Sequence, residues 1–492
     1  MVNNEQNFSF KQSGYIFSIL LFLIILAFFH FRGVIFYDEG YILNSALRVA
    51  HGEVAYRDFD VNYTPISFLT VTAFFKLFGE SVFAGRLAAL TVSLLSLFAL
   101  FKILQLITKN NLFIVLCLLF FTAWGSAHIN FPWSTMFAAC FFFYTTLFYL
   151  QGIIKENRKY FYIAGIMAVL TFFSKQNFGT GLLFTSLLCF LFLDAKRKWS
   201  YALFYLSGVV TASCIALISF LSTSSLIPFV YNNYYHIFEK IVFERLTDTP
   251  FLYEGSLLTR LAKLTFYLSP LLFSLLAIFF TRKSEKKLFV IPLFVATFYV
   301  LGIRPVTDYD HLVGLLAVSG VSLVIIIQYA KNVLLTRLFL LILVAMMLLG
   351  FYKAYFSNYY KWETPLRYQT YFATNPRLHV FMSQGPAMAT EALIKYIDTH
   401  TKPGEYIFMN HYAPLVYFLA DRRNASRYDY ILPNALFPSD QKNTIHELQK
   451  KRVRLVITHI FTNNEKTIIA DYIRKEYHLD QTSGDYFIYL KN

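Results

Sequence analysis

Long apolar runs separated by short polar breaks fill the chain up to Gly350. A helix that crosses a bilayer needs about 20 mostly apolar residues, at about 1.5 Å of rise for each. Eleven runs meet that rule, at 15–36, 82–107, 111–128, 132–151, 160–175, 178–194, 200–221, 257–280, 288–303, 310–328 and 335–351. The first lacks a small-x-small cleavage site and exceeds the apolar part of a signal peptide, so it reads as a retained span. The stretch Pro65 to Gly79 is apolar but short and carries Lys76, which places it on the membrane surface.

Beyond Gly350 the pattern changes. Residues 352–386 are aromatic and polar with scattered prolines, as in a connector. From Ala387 helical and strand periods alternate. Helices are expected over 389–400, 415–419, 440–451 and 465–477, with strands over 405–409, 453–458 and 486–490. The predicted fold is therefore a membrane all-α unit over residues 1–351, with about eleven transmembrane helices, and an extracytoplasmic α/β domain over 387–492. No internal repeat or low-complexity tract interrupts it.

Composition agrees. Of 492 residues, 57% are hydrophobic and 15% charged, more apolar surface than a soluble chain of this length could bury. The net charge of +15 does not call for nucleic acid, because the basic residues gather in short breaks between apolar runs. With the N-terminus inside, the inner breaks hold Lys102 and Lys109, Lys155 to Lys159, Lys196 to Lys198, Arg282 to Lys287, and Lys331 with Arg337. The opposite short turns hold only Arg304, so the N-terminus is expected in the cytoplasm and the C-terminal domain outside the inner or plasma membrane. Cys117, Cys140, Cys189 and Cys214 all lie in apolar runs and read as small buried hydrophobes.

Two outer segments are then long, 37–81 and 222–256. The second, with Tyr231 to His236, reads as an aromatic interfacial anchor. The first opens with Asp38 and Glu39 where a span meets water. A carboxylate in that position either is a solvated helix-terminal acid or, partly desolvated, takes a proton from an attacking hydroxyl. Arg57 in the same segment either pairs with Asp58 or Asp60 or grips an oxyanion in bidentate fashion. Lys175, beside Gln176, sits at an outer helix end against the inner-side bias; it either snorkels or meets an anion. Arg304, Asp308, Asp310 and His311 form a polar knot that either caps a helix or holds a ligand. Trp124, Trp133, Tyr41 and Tyr63 are either interfacial anchors or stacking faces. Nucleophile elbows, Walker loops, dinucleotide fingerprints and zinc motifs are absent from the sequence.

The run from Asp38 to Arg48, continuing through His51 to Phe59, Thr64-Pro65-Ile66 and Phe75 to Gly79, resembles the first outer loop of GT-C glycosyltransferases. The branch is that of protein O-mannosyltransferases and aminoarabinose transferases (glycosyltransferase family 39 and relatives). Arg86-Leu87 fits the same pattern. The resemblance is densest over 37–107 and returns at Lys175-Gln176-Asn177, at Arg304 to His311 and at Tyr412 to Tyr428.

That resemblance implies transfer of a sugar from a polyprenyl-phosphate donor to an envelope acceptor (lipid, glycan or protein) with inversion. It gives the role of base or substrate orienter to Asp38, with Glu39 as a supporting acid. Arg57, Asp58, Lys175, Gln176, Arg304, Asp308, Asp310 and His311 become candidates for substrate and lipid-phosphate contact. Two departures stand out. Pro132 follows Phe131 where several relatives place an acid, so no metal or other cofactor is expected. Thr64 precedes Pro65 where aminoarabinose transferases place a lysine. The rival from another class is a lipid or glycan transporter or flippase without catalysis. Repeated halves and charges deep in the spans would favour it, and the sequence has neither.

Overall fold

In the computed structural model, residues 23–25, 27–193, 198–235, 255–302, 309–356, 369–372, 374–429, 431, 436–463 and 466–492 are described. The apolar runs form helices. The segment expected as an outer loop contains two of them, α1 (Asp38–Ala50) and α2 (Ile66–Phe78). There follow α3 (Val82–Ile107), α4 (Asn111–Phe121, prolonged by a wide turn to Ser126), α5 (Ser134–Lys155), α6 (Arg158–Ser174), α7 (Gln176–Cys189) and α8 (Lys198–Ser222). A short α9 (Leu226–Val230) precedes α10 (Leu257–Ser284), α11 (Val290–Gly302), α12 (Tyr309–Tyr329) and α13 (Val333–Phe356). Side chains that accept from the first-turn amides set several starts. Ser81 caps α3 at 3.1 Å, Asn110 caps α4 at 3.0 Å and Asn157 caps α6 at 3.0 Å.

Among the described residues six helices are long and apolar enough to cross a membrane: α3, α5, α8, α10 (to Arg282), α12 (from Leu312) and α13. Shorter apolar helices account for the runs near 111–126, 176–192 and 287–302. Of the expected span 15–36, residues 23–25 and 27–30 are helical and 31–36 are not, while 15–22 and 26 lie outside the described residues. Burial separates the long helices by position. Within their apolar windows α12 is 89% buried and α5 72%, whereas α8 and α13 are 17% buried. Leu203, Ile215 and Ile218 of α8 are about two-thirds exposed, a lipid-facing surface that water would not tolerate. The outer helix α8 still reaches α6 closely. A Cβ at Gly165 would stand 2.2 Å from the Tyr205 carbonyl, and one at Gly208 2.0 Å from that of Tyr162.

The C-terminal part carries more strand than the sequence suggests. A hairpin, β1 (Gln369–Phe372) with β2 (Val380–Ser383), lies inside the expected connector and is followed by α14 (Gln384–His400). A five-stranded sheet has the order β4 (Arg423–Asn424), β3 (Tyr406–Asn410), β5 (Leu455–His459), β7 (Tyr486–Lys491), β6 (Tyr477–Ser483). The first three run parallel, and β7 is antiparallel to both its neighbours. Helices α15 (Leu415–Ala420), α16 (Pro438–Lys450), α17 (Ile460–Asn463) and α18 (Ile468–Glu476) connect the strands. Strand β6 escaped the sequence reading because its five central residues are all exposed and polar or isolated, with no alternation to see.

Backbone hydrogen bonds stitch this sheet region to one end of the helical part. Gly33 donates to Phe381 at 2.6 Å, Asp60 to Arg427 at 3.0 Å, Val82 to Arg377 at 2.8 Å and Leu415 to Phe36 at 3.3 Å.

Candidate active site at the junction of α1 and the C-terminal sheet

Asp38 is the first residue of α1 and lies half-buried beneath the C-terminal part. The Tyr412 hydroxyl donates to its Oδ1 at 2.8 Å, and that of Tyr63 approaches the same oxygen at 3.4 Å. Tyr412 belongs to the loop between β3 and α15, so the site has walls from both ends of the chain. The close fit has a local cause. A Cβ at Gly40 would fall 2.4 Å from the Leu415 nitrogen, and only a residue without one lets α15 rest on α1.

Glu39 sits in different surroundings from its neighbour. Its side chain is fully buried and paired with the equally buried Arg86, Nη2 to Oε2 at 2.7 Å and Nε to Oε1. Arg86 also donates to the carbonyls of His30 at 2.7 Å and Gly33 at 2.8 Å, and Glu39 accepts from the Ile35 amide at 3.1 Å. The donors and acceptors of the pair are thus met by each other and by the backbone leading into α1. The Glu39 carboxylate is turned to Arg86 and the Ile35 amide.

Arg57 and Asp58 bind each other. Nε reaches Oδ1 at 2.8 Å and Nη2 reaches Oδ2 at 2.9 Å on an exposed turn, with Nη1 on the Thr223 carbonyl at 3.4 Å. Asp58 also accepts from the Val54 amide at 2.8 Å, and the Arg57 hydrogen bond holds its carboxyl below the ordinary range. Of the readings the sequence left open for Arg57, the surface ion pair is the one found.

Lys175 lies elsewhere. It precedes the first residue of α7, donates to Thr135 Oγ1 at 2.9 Å and stands over the rings of Trp133 and Phe178 at 5.3 and 5.1 Å. Helix starts gather round it. Ser134, first in α5, meets Ser67 of α2 at 3.2 Å, and a Cβ on Gly314 of α12 would touch Thr135. Gln176 donates to the Asn233 carbonyl at 3.5 Å, and Asn177 to that of Leu301 at 2.8 Å. Converging helix N-termini, three hydroxyls and a lysine together favour an anion.

Arg304 and Asp308 lie outside the described residues, as do the side chains of Asp310 and His311. Trp124 is wholly buried and donates to the Met346 carbonyl at 2.9 Å, which makes it a packing residue. Tyr41 accepts from the Asn62 amide at 2.9 Å. No group of three His, Cys, Asp or Glu able to hold a metal occurs among the described residues.

Sequence reasoning gave no role to Tyr412, or to the His411 and His459 beside it, although Tyr412 lies in a stretch carrying the family resemblance. The rings of His411 and His459 stack at 4.2 Å, 10° from parallel, and Tyr37 meets His411 edge-on at 5.8 Å. Burial, with His459 beside it, lowers the His411 imidazole from 6.5 to about 3. A titratable residue directly after a predicted strand was the available hint.

The chain is thus a helical membrane part capped by a small sheet over a carboxylate. Residues 62–221 match the family described as dolichyl-phosphate-mannose-protein mannosyltransferase. The whole chain is similar in fold to ArnT from Cupriavidus metallidurans, solved with undecaprenyl phosphate bound, with a TM-score of 0.59 and 12% identity over 97% of this chain and 98% of that one. A second similarity is to AglB from Archaeoglobus fulgidus, an archaeal oligosaccharyltransferase solved with an inhibitory peptide and dolichol phosphate (TM-score 0.49, 11% identity, 98% of this chain and 75% of that one). A search of curated proteins found no match. The resemblance to GT-C glycosyltransferases read from residues 37–107 is borne out, in sequence over the matched segment and in fold over the chain.

Proposed function

We propose that this chain is an integral membrane glycosyltransferase that moves a sugar from a polyprenyl-phosphate donor to a hydroxyl of an envelope acceptor, on the outer face of the membrane. The observation that carries the reading is Asp38, held at the mouth of the helical part by Tyr412 and Tyr63, one hydroxyl from each end of the chain. Asp38 accepts the proton of the attacking hydroxyl as that oxygen bonds to the anomeric carbon. The bond from the anomeric carbon to the phosphate oxygen breaks, and the phosphate leaves with its electron pair. One displacement of this kind inverts the anomeric centre. Lys175, with Ser67, Ser134 and Thr135 at the gathered helix starts, supplies the positive field for the departing phosphate. The knot from Arg304 to His311 stays a donor-contact candidate on sequence grounds. Glu39 and Arg86 hold the approach to Asp38 rigid, and Arg57 with Asp58 shapes the neighbouring turn. The orientation is N-terminus in and C-terminal part out, as the basic breaks imply.

The test is transfer from radiolabelled polyprenyl-phosphate sugars by full-length protein in lipid vesicles, with Asp38→Asn in parallel. Loss of a base is expected to lower transfer by about 100-fold or more. Equal transfer by both proteins removes Asp38 from the role. Movement of lipid across the bilayer with no turnover of any donor points to a flippase instead.

A further inference from the structure

The connections of the C-terminal sheet diverge at one place. From β3 the chain leaves through α15 towards β4, while from β5 it leaves the other way, through α17 and α18 towards β6 and β7. Between the carboxyl ends of two parallel strands whose connections part in this manner, open α/β sheets form a crevice that takes ligands. Here those ends are Asn410-His411 and Thr458-His459, in register with Asn410 opposite Thr458.

The crevice points at the proposed base. His411 is followed by Tyr412, which donates to Asp38, and its ring meets Tyr37, the residue before Asp38. Tyr37 and Tyr412 stack at 5.8 Å, and Tyr486 of β7 closes the far side against His459 at 5.1 Å.

What lines it is unusual. Asn410 and His411 are 4% and 5% exposed, yet Nδ2 of Asn410 and both ring nitrogens of His411 have no hydrogen-bond partner among the described residues. Buried nitrogens of this kind are destabilising when left unmet, and three within two adjacent residues call for a reason. Their chemistry is selective. An amide NH2 donates, and an imidazole that burial keeps neutral presents one donor and one acceptor. The nearby charges are the carboxylates of Asp38 and Asp485, so an anion gains nothing here.

We propose that this crevice is the acceptor subsite, that it takes a neutral sugar bearing hydroxyl groups, and that Asn410 and His411 bind those hydroxyls beside Asp38. The assignment deepens the transferase reading and rests on it for the word acceptor; the binding itself does not.

Full-length protein in phosphatidylcholine nanodiscs is examined by saturation-transfer NMR with methyl glucoside, methyl N-acetylglucosaminide and a zwitterionic buffer control. Wild type is expected to saturate the glycoside protons, and His411→Phe and Asn410→Ala to weaken binding about tenfold, the loss of one or two hydrogen bonds. His411→Gln, which keeps a donor and an acceptor, should retain most of the effect and shows that folding is intact. No glycoside saturation in wild type, or equal saturation in wild type and His411→Phe, overturns the proposal. Saturation that His411→Phe abolishes, in a protein that transfers no sugar, keeps the sugar site and discards the transferase reading.

Discussion

At the scale of single residues, environment matters more than identity. Two adjacent acids, Asp38 and Glu39, have unlike fates because one ends half-buried under two tyrosine hydroxyls and the other is locked against Arg86. His411 offers a residue-scale prediction. The unfolded imidazole binds a proton near the ordinary 6.5, whereas burial in the fold lowers that value to about 3. Between those limits the unfolded chain holds more protons, so the contribution of His411 is favourable above 6.5 and is lost as the pH falls towards 3. Melting temperature should therefore drop more steeply from pH 7 to pH 4 in wild type than in His411→Phe. Parallel slopes would show that the imidazole is accessible to protons in the fold.

Elements are held by a few contacts that can be broken singly. Arg86, near the start of α3, ties that helix to the carbonyls of His30 and Gly33 and to Glu39. Arg86→Ala leaves a buried carboxylate without its cation and should cost about 3–5 kcal/mol. In the double variant Glu39→Gln with Arg86→Met, the loss should be smaller than the sum of the two singles, because the pair is coupled. Thermal unfolding in detergent measures both, and additive losses would contradict the assignment. The crossing of α6 and α8 depends on Gly165 and Gly208 in the same direct sense. Gly208→Leu must force the helices apart and should destabilise by about 1–3 kcal/mol. Val210→Ala, on the 58% exposed lipid side, is the control expected to change little.

For the whole molecule the question is how the C-terminal part stays in register with the helical part. Besides the backbone bonds at Gly33, Asp60, Val82 and Leu415, side chains cross the junction: Arg48 to Asp429 at 3.3 Å, Arg427 to Asp60 at 2.6 Å and Arg377 to Glu80 at 2.7 Å. The junction is tightest at Gly40, where even a methyl group collides with the Leu415 backbone. Gly40→Ala should lift α15 and with it Tyr412 from Asp38. We expect transfer to fall about tenfold or more, equivalent to at least about 1.4 kcal/mol at the transition state, while the helical circular dichroism and its melting stay near wild type. Unchanged transfer in Gly40→Ala would separate the C-terminal part from catalysis.

Local information specified much of this protein. Apolar run length marked the helices, because each run must satisfy its own backbone in a bilayer. The strands β3, β5 and β7 were legible from their short apolar runs, and the residue pattern around Asp38 was enough to point to the GT-C class. Tertiary structure decided which polar residues work together. The bond from Tyr412 to Asp38 joins residues 374 positions apart, and that from Asn44 to Asp429 spans 385. No periodicity encodes such pairs. They follow from where the sheet lands on α1, which in turn depends on a missing Cβ at Gly40.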